Sequence, residues 1–529
     1  MVFLTRNTSP MKDSPQSSLI AAIDVGTNSF HMVIASVTDA GMLRIHGRMK
    51  DTVRLGSSAG DMKRLSADAM DRGAQALVRF VEEARRHDAT VRAIATSAVR
   101  EALNKDVFVD RVLQETGVHI DVIPGIEEGR LIFLGARNAL SFSGKSVLVF
   151  DVGGGSTETI TGHDGEPVFI HSAKLGHIRL TRKFFPDETI TDTQIAECRA
   201  WIRGEWQPAF QSHIAHGFDE AVGCSGTVMA LAAVILAQQG RRQPESLNGQ
   251  VFTREEILAG IDLIVSKRSL QQRLALDGID AKRADVIVAG ALIIEQLVKG
   301  LGIRSLTISG YSLREGIVFD TVQKAHDITT THHLSRLRYQ SVQHICELYR
   351  VNRRHAEHVK HLCVRLFDDL MPLHGMGDRE REMLEAAALL HDVGYHIAAD
   401  QHHKHSEYII RNCVMPGFTS DETVLIATIA RYHRKSHPKR KHPIFAALSP
   451  NDQHLVGVLA SILRIAEGLD RRQQSIVNSL EARIRDKAIE VNLAAMAEVP
   501  DVELWSAERR TGLMEETFDR SVRFTVRRP

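Results

Sequence analysis

The stretch VLVFDVGGGSTETI, residues 147–160, decides the fold. Four apolar residues, Val147–Phe150, are too few for a helix of ordinary length and end on an acid and three glycines, so they read as a strand running into a tight turn. A second strand-like run, Thr157–Thr161, follows. The same pattern stands near the start of the chain. Ile20–Asp24 is apolar up to its acid, Asp24-Val25-Gly26-Thr27-Asn28-Ser29 is the turn, and Phe30–Val37 is the next strand. Each copy alone is an ordinary glycine-rich hairpin. Two copies with Asp, Val, Gly and Ser at matching positions predict two related α/β lobes that face each other.

Glycines at a strand end let backbone N–H groups converge on an anion, and Ser or Thr adds a hydroxyl donor. The leading aspartates, Asp24 and Asp151, suit a divalent cation, directly or through water. Two such loops facing one another would clamp a phosphate chain and its Mg²⁺. No Lys follows the glycines, which excludes the GxxxxGK[ST] loop. A third small-residue turn, Gly223-Cys224-Ser225-Gly226-Thr227, precedes the apolar helical run Val228–Leu236, as an anion site or a plain helix cap would. A fourth, Ser309–Gly316, follows the strand Ser305–Ile308 and carries Arg314, equally readable as a phosphate clamp or a surface ion pair. The strand Val91–Thr96 leads to Arg100, a residue type suited to planar phosphate contact. Glu127 and Glu128 open another helix, where acids suit the helix dipole and where one of them could activate water. Glu158 is a further carboxylate for metal or water.

Composition narrows the classes. The 529 residues carry 66 Lys+Arg and 65 Asp+Glu, so bulk charge does not make the chain a polyanion binder and a basic site must be local. The 43% apolar and 25% charged residues exclude a mainly disordered or fibrous chain. Five cysteines without CxxC spacing read as free thiols of a cytoplasmic protein. Residues 1–18 are polar and read as a flexible terminus. The uncharged run Ala221–Gly240 is interrupted by Gly223, Ser225, Gly226 and Thr227, which argues against a membrane span. Histidine usage shifts sharply: 17 of the 26 histidines lie from His326 to His454, in a block that reads as helices, including Ala356–Leu370 and Arg379–Leu390. The tail shows strands at Ala488–Leu493 and Val522–Val526 around a helix near Ala507–Phe518. The expected domains are therefore lobe I over 19–140, lobe II over 141–325, a helical domain over 326–478 and a small α/β domain over 479–529.

The ordered set AAIDVGTNSFHMVI, AIATSAVREA, VIPGIEEGRLIFLG, LVFDVGGGSTE, GCSGTV and SGYSLREG resembles the exopolyphosphatase / guanosine pentaphosphate phosphohydrolase (Ppx/GppA) family. That resemblance covers roughly Leu19 to Asp320 and continues into the helical block. It implies two actin-like, ribonuclease H-like lobes with a cleft between them. It also implies an Mg²⁺-dependent hydrolase that releases orthophosphate from polyphosphate ends, or alternatively the 5′-phosphate of guanosine pentaphosphate (pppGpp). By resemblance, Asp24, Gly26, Thr27, Asn28 and Ser29 form the first phosphate loop, and Gly153, Gly154, Gly155 and Ser156 the second. Ser225, Gly226 and Thr227 form the third. Arg100 grips phosphate, Glu128 is the base, and Asp151 and Glu158 stand near Mg²⁺. Gly129 departs from the family, which more often has Ala there; the departure is expected to loosen the helix start slightly. A monovalent cation and a homodimer are further expectations. A sensor that binds ppGpp or polyphosphate without turnover is the non-enzymatic alternative, against which the intact acids argue.

The helical block resembles the HD metal-dependent phosphohydrolases through His355, the adjacent His391-Asp392 and Asp470, with His358 as an alternative to His355. His402 and His433 sit where two-metal members have extra ligands. A second divalent metal could bind there, or the block could be a scaffold with an empty site. The basic run Arg431, Arg434, Lys435, Lys439, Arg440 and Lys441 is either a solvated face or the lining of a polyphosphate channel. Only Tyr432 is an interleaved aromatic, so nucleic acid is not an expected partner.

Overall fold

The computed structural model describes residues 19–38, 41–57, 63–140, 142, 144–327, 336–413, 415–495 and 500–527; the expected flexible terminus 1–18 lies outside them. The chain divides into two units, Met1–Gln323 and Lys324–Pro529.

The first unit holds two sheets. One consists of β1 (Ile20–Val25), β2 (Phe30–Val37), β3 (Leu43–Asp51), β4 (Thr90–Ala95) and β5 (Ile120–Val122), in spatial order β3-β2-β1-β4-β5. The other consists of β6 (Ser146–Val152), β7 (Thr157–His163), β8 (Glu166–Ala173), β9 (Glu220–Cys224), β10 (Val251–Thr253) and β11 (Ser305–Ile308), in order β10-β11-β9-β6-β7-β8. Leaving out the edge strand β10, the two orders coincide. In both, the first two strands form an antiparallel hairpin, β1–β2 and β6–β7, and the fourth strand runs parallel to the first. The repeated D-V-G-x-x-S turn thus belongs to a repeated two-lobed α/β topology.

Side chains alternate across a strand, so each central strand serves two cores. On β1, Ala21, Ile23 and Val25 pack in a core with the helix Ala67–Arg86, while Ile20 and Ala22 face the opposite way. On β6, Leu148, Phe150 and Val152 pack with the helices of the second lobe, while Val147 and Val149 join Ile20 and Ala22. That joint core is filled by two helices, Gly125–Ala139 through Leu131, Ile132 and Phe133, and Leu313–Asp327 through Ile317 and Val318. The two helices cross at glycines: a Cβ on Gly135 would overlap the Ser312 backbone, and one on Gly316 the Leu131 backbone. Gly129 has a similar reason. A Cβ there would lie 2.6 Å from Ile170 Cγ2, so glycine lets the helix lie close against β8 rather than merely loosening its start.

The second unit is mainly helical, with a three-stranded sheet of β12 (Val477–Ile484), β13 (Ala488–Ala495) and β14 (Ser521–Arg527) in order β12-β13-β14. β12 was not read from the sequence, and the single tail helix is two, Asp501–Glu508 and Gly512–Phe518. Val477, Ile489, Val491, Leu493 and Met514 share one core with Leu366, Leu389 and Leu463 of the helices. Ala221–Gly240 contributes a strand and the helix Ser225–Gln238; among the described residues no helix is long and apolar enough to cross a membrane.

Candidate functional site

The alternation that builds the joint core also builds the site. Asp24 shares a face with Ile20 and Ala22, and Asp151 with Val147 and Val149. Both aspartates therefore point toward the space between the sheets. There, at the strand ends, lies a cleft of about 460 Å³. Asp24, the loop residues Gly26, Thr27, Asn28 and Ser29, and the loop residues Gly153, Gly154, Gly155 and Ser156 all line it, as do Glu128, Asp151, Ser225 and Gly226. The two glycine loops meet face to face. A Cβ on Gly154 would lie 3.1 Å from Thr27 Cβ, and one on Gly155 would lie 3.0 Å from Thr27 Oγ1 and 2.9 Å from Ser97 Cβ. Thr227 stands behind the third loop and ties it to the second, its Oγ1 donating to the Val152 carbonyl at 3.0 Å. Ser225 starts a 14-residue helix with φ 83°, and its buried hydroxyl has no hydrogen-bond partner. A helix N-terminus with an unused hydroxyl is suited to an anion.

The adjacent acids Glu127 and Glu128 diverge in role. Glu127 accepts from Arg130 Nε and Nη2 at 2.9 and 2.8 Å, and Arg130 also donates to Asp320 at 2.6 Å, which locks the two central helices together. Glu128 lines the cleft and accepts from Arg100 Nη1 at 2.9 Å. Arg100 is not itself a cleft-lining residue. Its guanidinium is committed to Glu128 and, at 3.0 Å, to the Ile123 carbonyl, so its contact is with the carboxylate expected as base rather than with the cleft.

Four carboxylates crowd one another. Burial lifts Asp24 to about 7 and Asp151 to about 6, each further raised by Glu128. Burial also raises Glu128, against the pull of Arg100, and holds Glu158 well above the usual carboxylate range. Glu158 is paired across β6–β7 with Asp151, on the same face, and accepts from Ser172 Oγ at 2.8 Å. Ser312 Oγ donates to Asp151 at 2.5 Å. Such a cluster penalises uncompensated negative charge and so fits a divalent cation. Among the described residues, no three cleft side chains bring ligand atoms together at one point. The set fits an ion held by one or two carboxylates that completes its shell with phosphate and water, the preference of Mg²⁺.

The cleft is also lined by cations, most of which were not legible in the sequence. Lys50, Arg48, Arg283 and Arg314 line the cleft with His31 and His177. Arg283 lies on the third loop, where a Cβ on Gly226 would be 2.5 Å from its Cζ. Burial, then Arg283, lowers the Lys50 ammonium. Burial and the surrounding cations push His31 to about 3, so it is neutral at physiological pH. Arg314, left open between clamp and surface pair, is a cleft residue whose Nη1 stands 3.5 Å from His31 Nδ1.

In the second unit, His355, His391 and Asp392 form one group able to hold a metal, and Asp392, His402 and His433 form another. Asp470, expected as a ligand, accepts from His355 Nδ1 at 2.7 Å, and Asp470 and His358 stand outside both groups. Of the basic run, Arg431 pairs with Glu407 and Arg434 stands against His402, while Lys435, Lys439, Arg440 and Lys441 are exposed.

Comparison with known proteins agrees with this architecture. Residues 33–325 match the Ppx/GppA phosphatase family and residues 337–505 match Ppx/GppA phosphatase, domain III. The guanosine-5'-triphosphate,3'-diphosphate pyrophosphatase of Pseudoalteromonas translucida is 30% identical over 486 residues, 90% of this chain and 92% of its own. The protein of that name from Photobacterium profundum is 31% identical over 80% of this chain and 82% of its own. The crystal structure of an exopolyphosphatase from Cytophaga hutchinsonii is 28% identical, with a TM-score of 0.54 over 58% of this chain and 98% of its own. The repeated lobes, the facing glycine loops and these matches together show that the chain belongs to the Ppx/GppA phosphatase family.

Proposed function

We propose that the cleft hydrolyses the terminal phosphoanhydride of inorganic polyphosphate, releasing orthophosphate from chain ends. The carrying observation is the meeting of carboxylates and cations in one cleft. Glu128 and Asp151 line it together with Lys50 and Arg283, and these two cations have no ion-pair partner among the described residues. Cations gathered in a cleft without ion-pair partners suit a polyanionic ligand.

Glu128 accepts a proton from water as the water attacks the terminal phosphorus. The phosphorus–oxygen anhydride bond breaks, and the chain leaves one phosphate shorter with the negative charge on its new end. Arg100 orients Glu128 and keeps the carboxylate form accessible. The glycine-loop N–H groups and the N-terminus of the helix Ser225–Gln238 stabilise charge on the transferred group. Asp151, with Glu158 beside it, would hold Mg²⁺, which neutralises phosphoryl charge when bound. The exposed Lys435, Lys439, Arg440 and Lys441 would add affinity for long chains.

Guanosine pentaphosphate is the second reading, favoured by the printed names of relatives that align over more than four-fifths of their length. The test is kcat/KM for orthophosphate release from polyphosphates of graded length and from guanosine pentaphosphate, with Mg²⁺. Higher values for polyphosphate, rising with length, support the proposal. A preference for the nucleotide installs the second reading. Binding without release from either would make the cleft a sensor.

A further inference from the structure

The second glycine loop is held from behind. The helix His177–Phe184 starts directly after Gly176, and a Cβ on Gly176 would overlap the Gly154 carbonyl, so glycine lets the helix begin this close to the loop. His177 N donates to the Gly153 carbonyl at 3.0 Å, and Ile178 N donates to the Gly154 carbonyl at 3.0 Å. The third carbonyl, that of Gly155, accepts from a side chain, Arg179 Nε, at 2.9 Å. A trans peptide unit is planar, so its N–H points opposite to its C=O. With three successive carbonyls turned to this helix, the N–H groups of Gly154, Gly155 and Ser156 are turned away from it, in a loop that lines the cleft. Successive N–H groups presented in this way form an anion-binding concavity.

The first two of these peptide units are fixed by backbone of the same lobe. The third depends on one side chain, and that side chain is fixed from the other lobe. Arg179 Nη2 donates to Glu101 Oε1 at 2.7 Å. Glu101 ends the helix Ser97–Glu101, which follows β4 of the first sheet. The same oxygen accepts from Ser97 Oγ at 3.1 Å, and Glu101 Oε2 lies 3.1 Å from Nζ of Lys174, just after β8 of the second sheet. The side chains of Arg179 and Glu101 are 17% and 12% exposed, and neither lines the cleft. Charge-assisted bonds so shielded from water are strong. The guanidinium presents its donors in a rigid fork, so one arginine holds a carbonyl and a carboxylate at once. An ion pair that only tied the lobes together would need no bond to Gly155, and a tie to the loop alone would need no acid from the opposite lobe.

On the reading that the cleft hydrolyses a phosphoanhydride, we propose that Arg179 is a positioning residue for the second glycine loop and that Glu101 of the other lobe holds it in place. The Ser156 N–H is then set for a phosphoryl oxygen only while the lobes are together. Charge on the transferred group meets its full set of loop donors only when the lobes have met around the chain end.

The test measures kcat and KM for orthophosphate release with Mg²⁺, from polyphosphate or guanosine pentaphosphate, whichever the wild type cleaves faster, so that the substrate assignment does not decide the result. Arg179→Ala and Glu101→Ala should each lower kcat about 10–100-fold with KM within a few fold, as for a misplaced oxyanion donor. The double variant should lose no more than Arg179→Ala alone, because both residues act through one guanidinium. Arg179→Lys keeps the charge opposite Glu101 but lacks Nε, and should be as slow as Arg179→Ala. Hydrogen exchange gives a readout independent of turnover. Tripolyphosphate with Mg²⁺ should slow exchange in the wild-type peptide that spans Gly153–Ser156, and the slowing should shrink in Arg179→Ala. Thermal unfolding establishes that each variant is folded; should Arg179→Ala fail to fold, Arg179→Lys carries the comparison. Wild-type kcat in Arg179→Ala or Arg179→Lys, or additive losses in the double variant, overturns the positioning role. Should the wild type release phosphate from neither substrate, the hydrolytic reading fails and hydrogen exchange decides alone: equal slowing in wild type and variant overturns the role.

Discussion

Replacing Gly155 by Ala tests whether the two glycine loops work as a face-to-face clamp. The added Cβ would lie 2.9 Å from Ser97 Cβ and 3.0 Å from Thr27 Oγ1, with Ser97 Oγ closer still. The hydroxyl can rotate away, but Ser97 Cβ is fixed to the backbone at the start of the helix Ser97–Glu101. Carbon–carbon contacts settle near 3.5–4.0 Å, so the loops must separate by roughly 0.5–1 Å. Misplacement on that scale costs about 100-fold in rate where two groups must meet one phosphoryl unit. The assay is kcat for orthophosphate release from long-chain polyphosphate, with thermal unfolding beside it. The Ser97→Gly/Gly155→Ala double variant removes the obstructing Cβ and should recover at least about tenfold of the loss, measured against Ser97→Gly alone. Wild-type turnover by Gly155→Ala, or no recovery in the double variant, would refute the clamp.

Glu127→Gln should cost about 3 kcal/mol of stability, because it breaks a buried pair with Arg130, while kcat of the folded protein stays within a few fold; denaturant unfolding and rate assays read the split. Lys50→Ala and Arg283→Ala should raise KM for polyphosphate about tenfold each with little change in kcat and should flatten its salt dependence; a pure kcat effect would remove them from substrate binding. With Asp151 near 6, Mg²⁺ affinity measured by calorimetry should fall about tenfold per pH unit below 6, because the cation binds only the deprotonated carboxylate; a flat profile from pH 5 to 8 would contradict that role. Replacing Lys439, Arg440 and Lys441 by Gln should weaken long-chain binding more than short-chain binding, and equal loss at every length would leave the run a solvated face.

The sequence revealed what is local and withheld what packing assembles. The strand–turn–strand copies around Asp24 and Asp151 were legible because turn chemistry is written in adjacent residues, and strand alternation then aims both acids at one cleft. Lys50 on β3 and Arg283, far along the chain, meet only because the sheets bring them to the same cleft, and no spacing announces that. The pair Glu127–Glu128 was divided by the family resemblance and not by spacing, since Arg130 and Asp320 claim the first acid through a helix crossing made possible by Gly135 and Gly316. Asp470 was expected as a ligand through the resemblance to the HD phosphohydrolases; its hydrogen bond to His355 depends on side-chain direction, which sequence does not carry. β12 was missed because its alternation is incomplete, with a register shift between Val477 and Ser479.

Water activation by Glu128 in the cleft is read by single-turnover release of orthophosphate from long-chain polyphosphate with Mg²⁺, comparing wild type with Glu128→Gln. Glu128→Gln should lose about 10²–10⁴-fold in rate with binding retained. Equal rates in the two proteins would contradict it and move the chemistry away from this carboxylate.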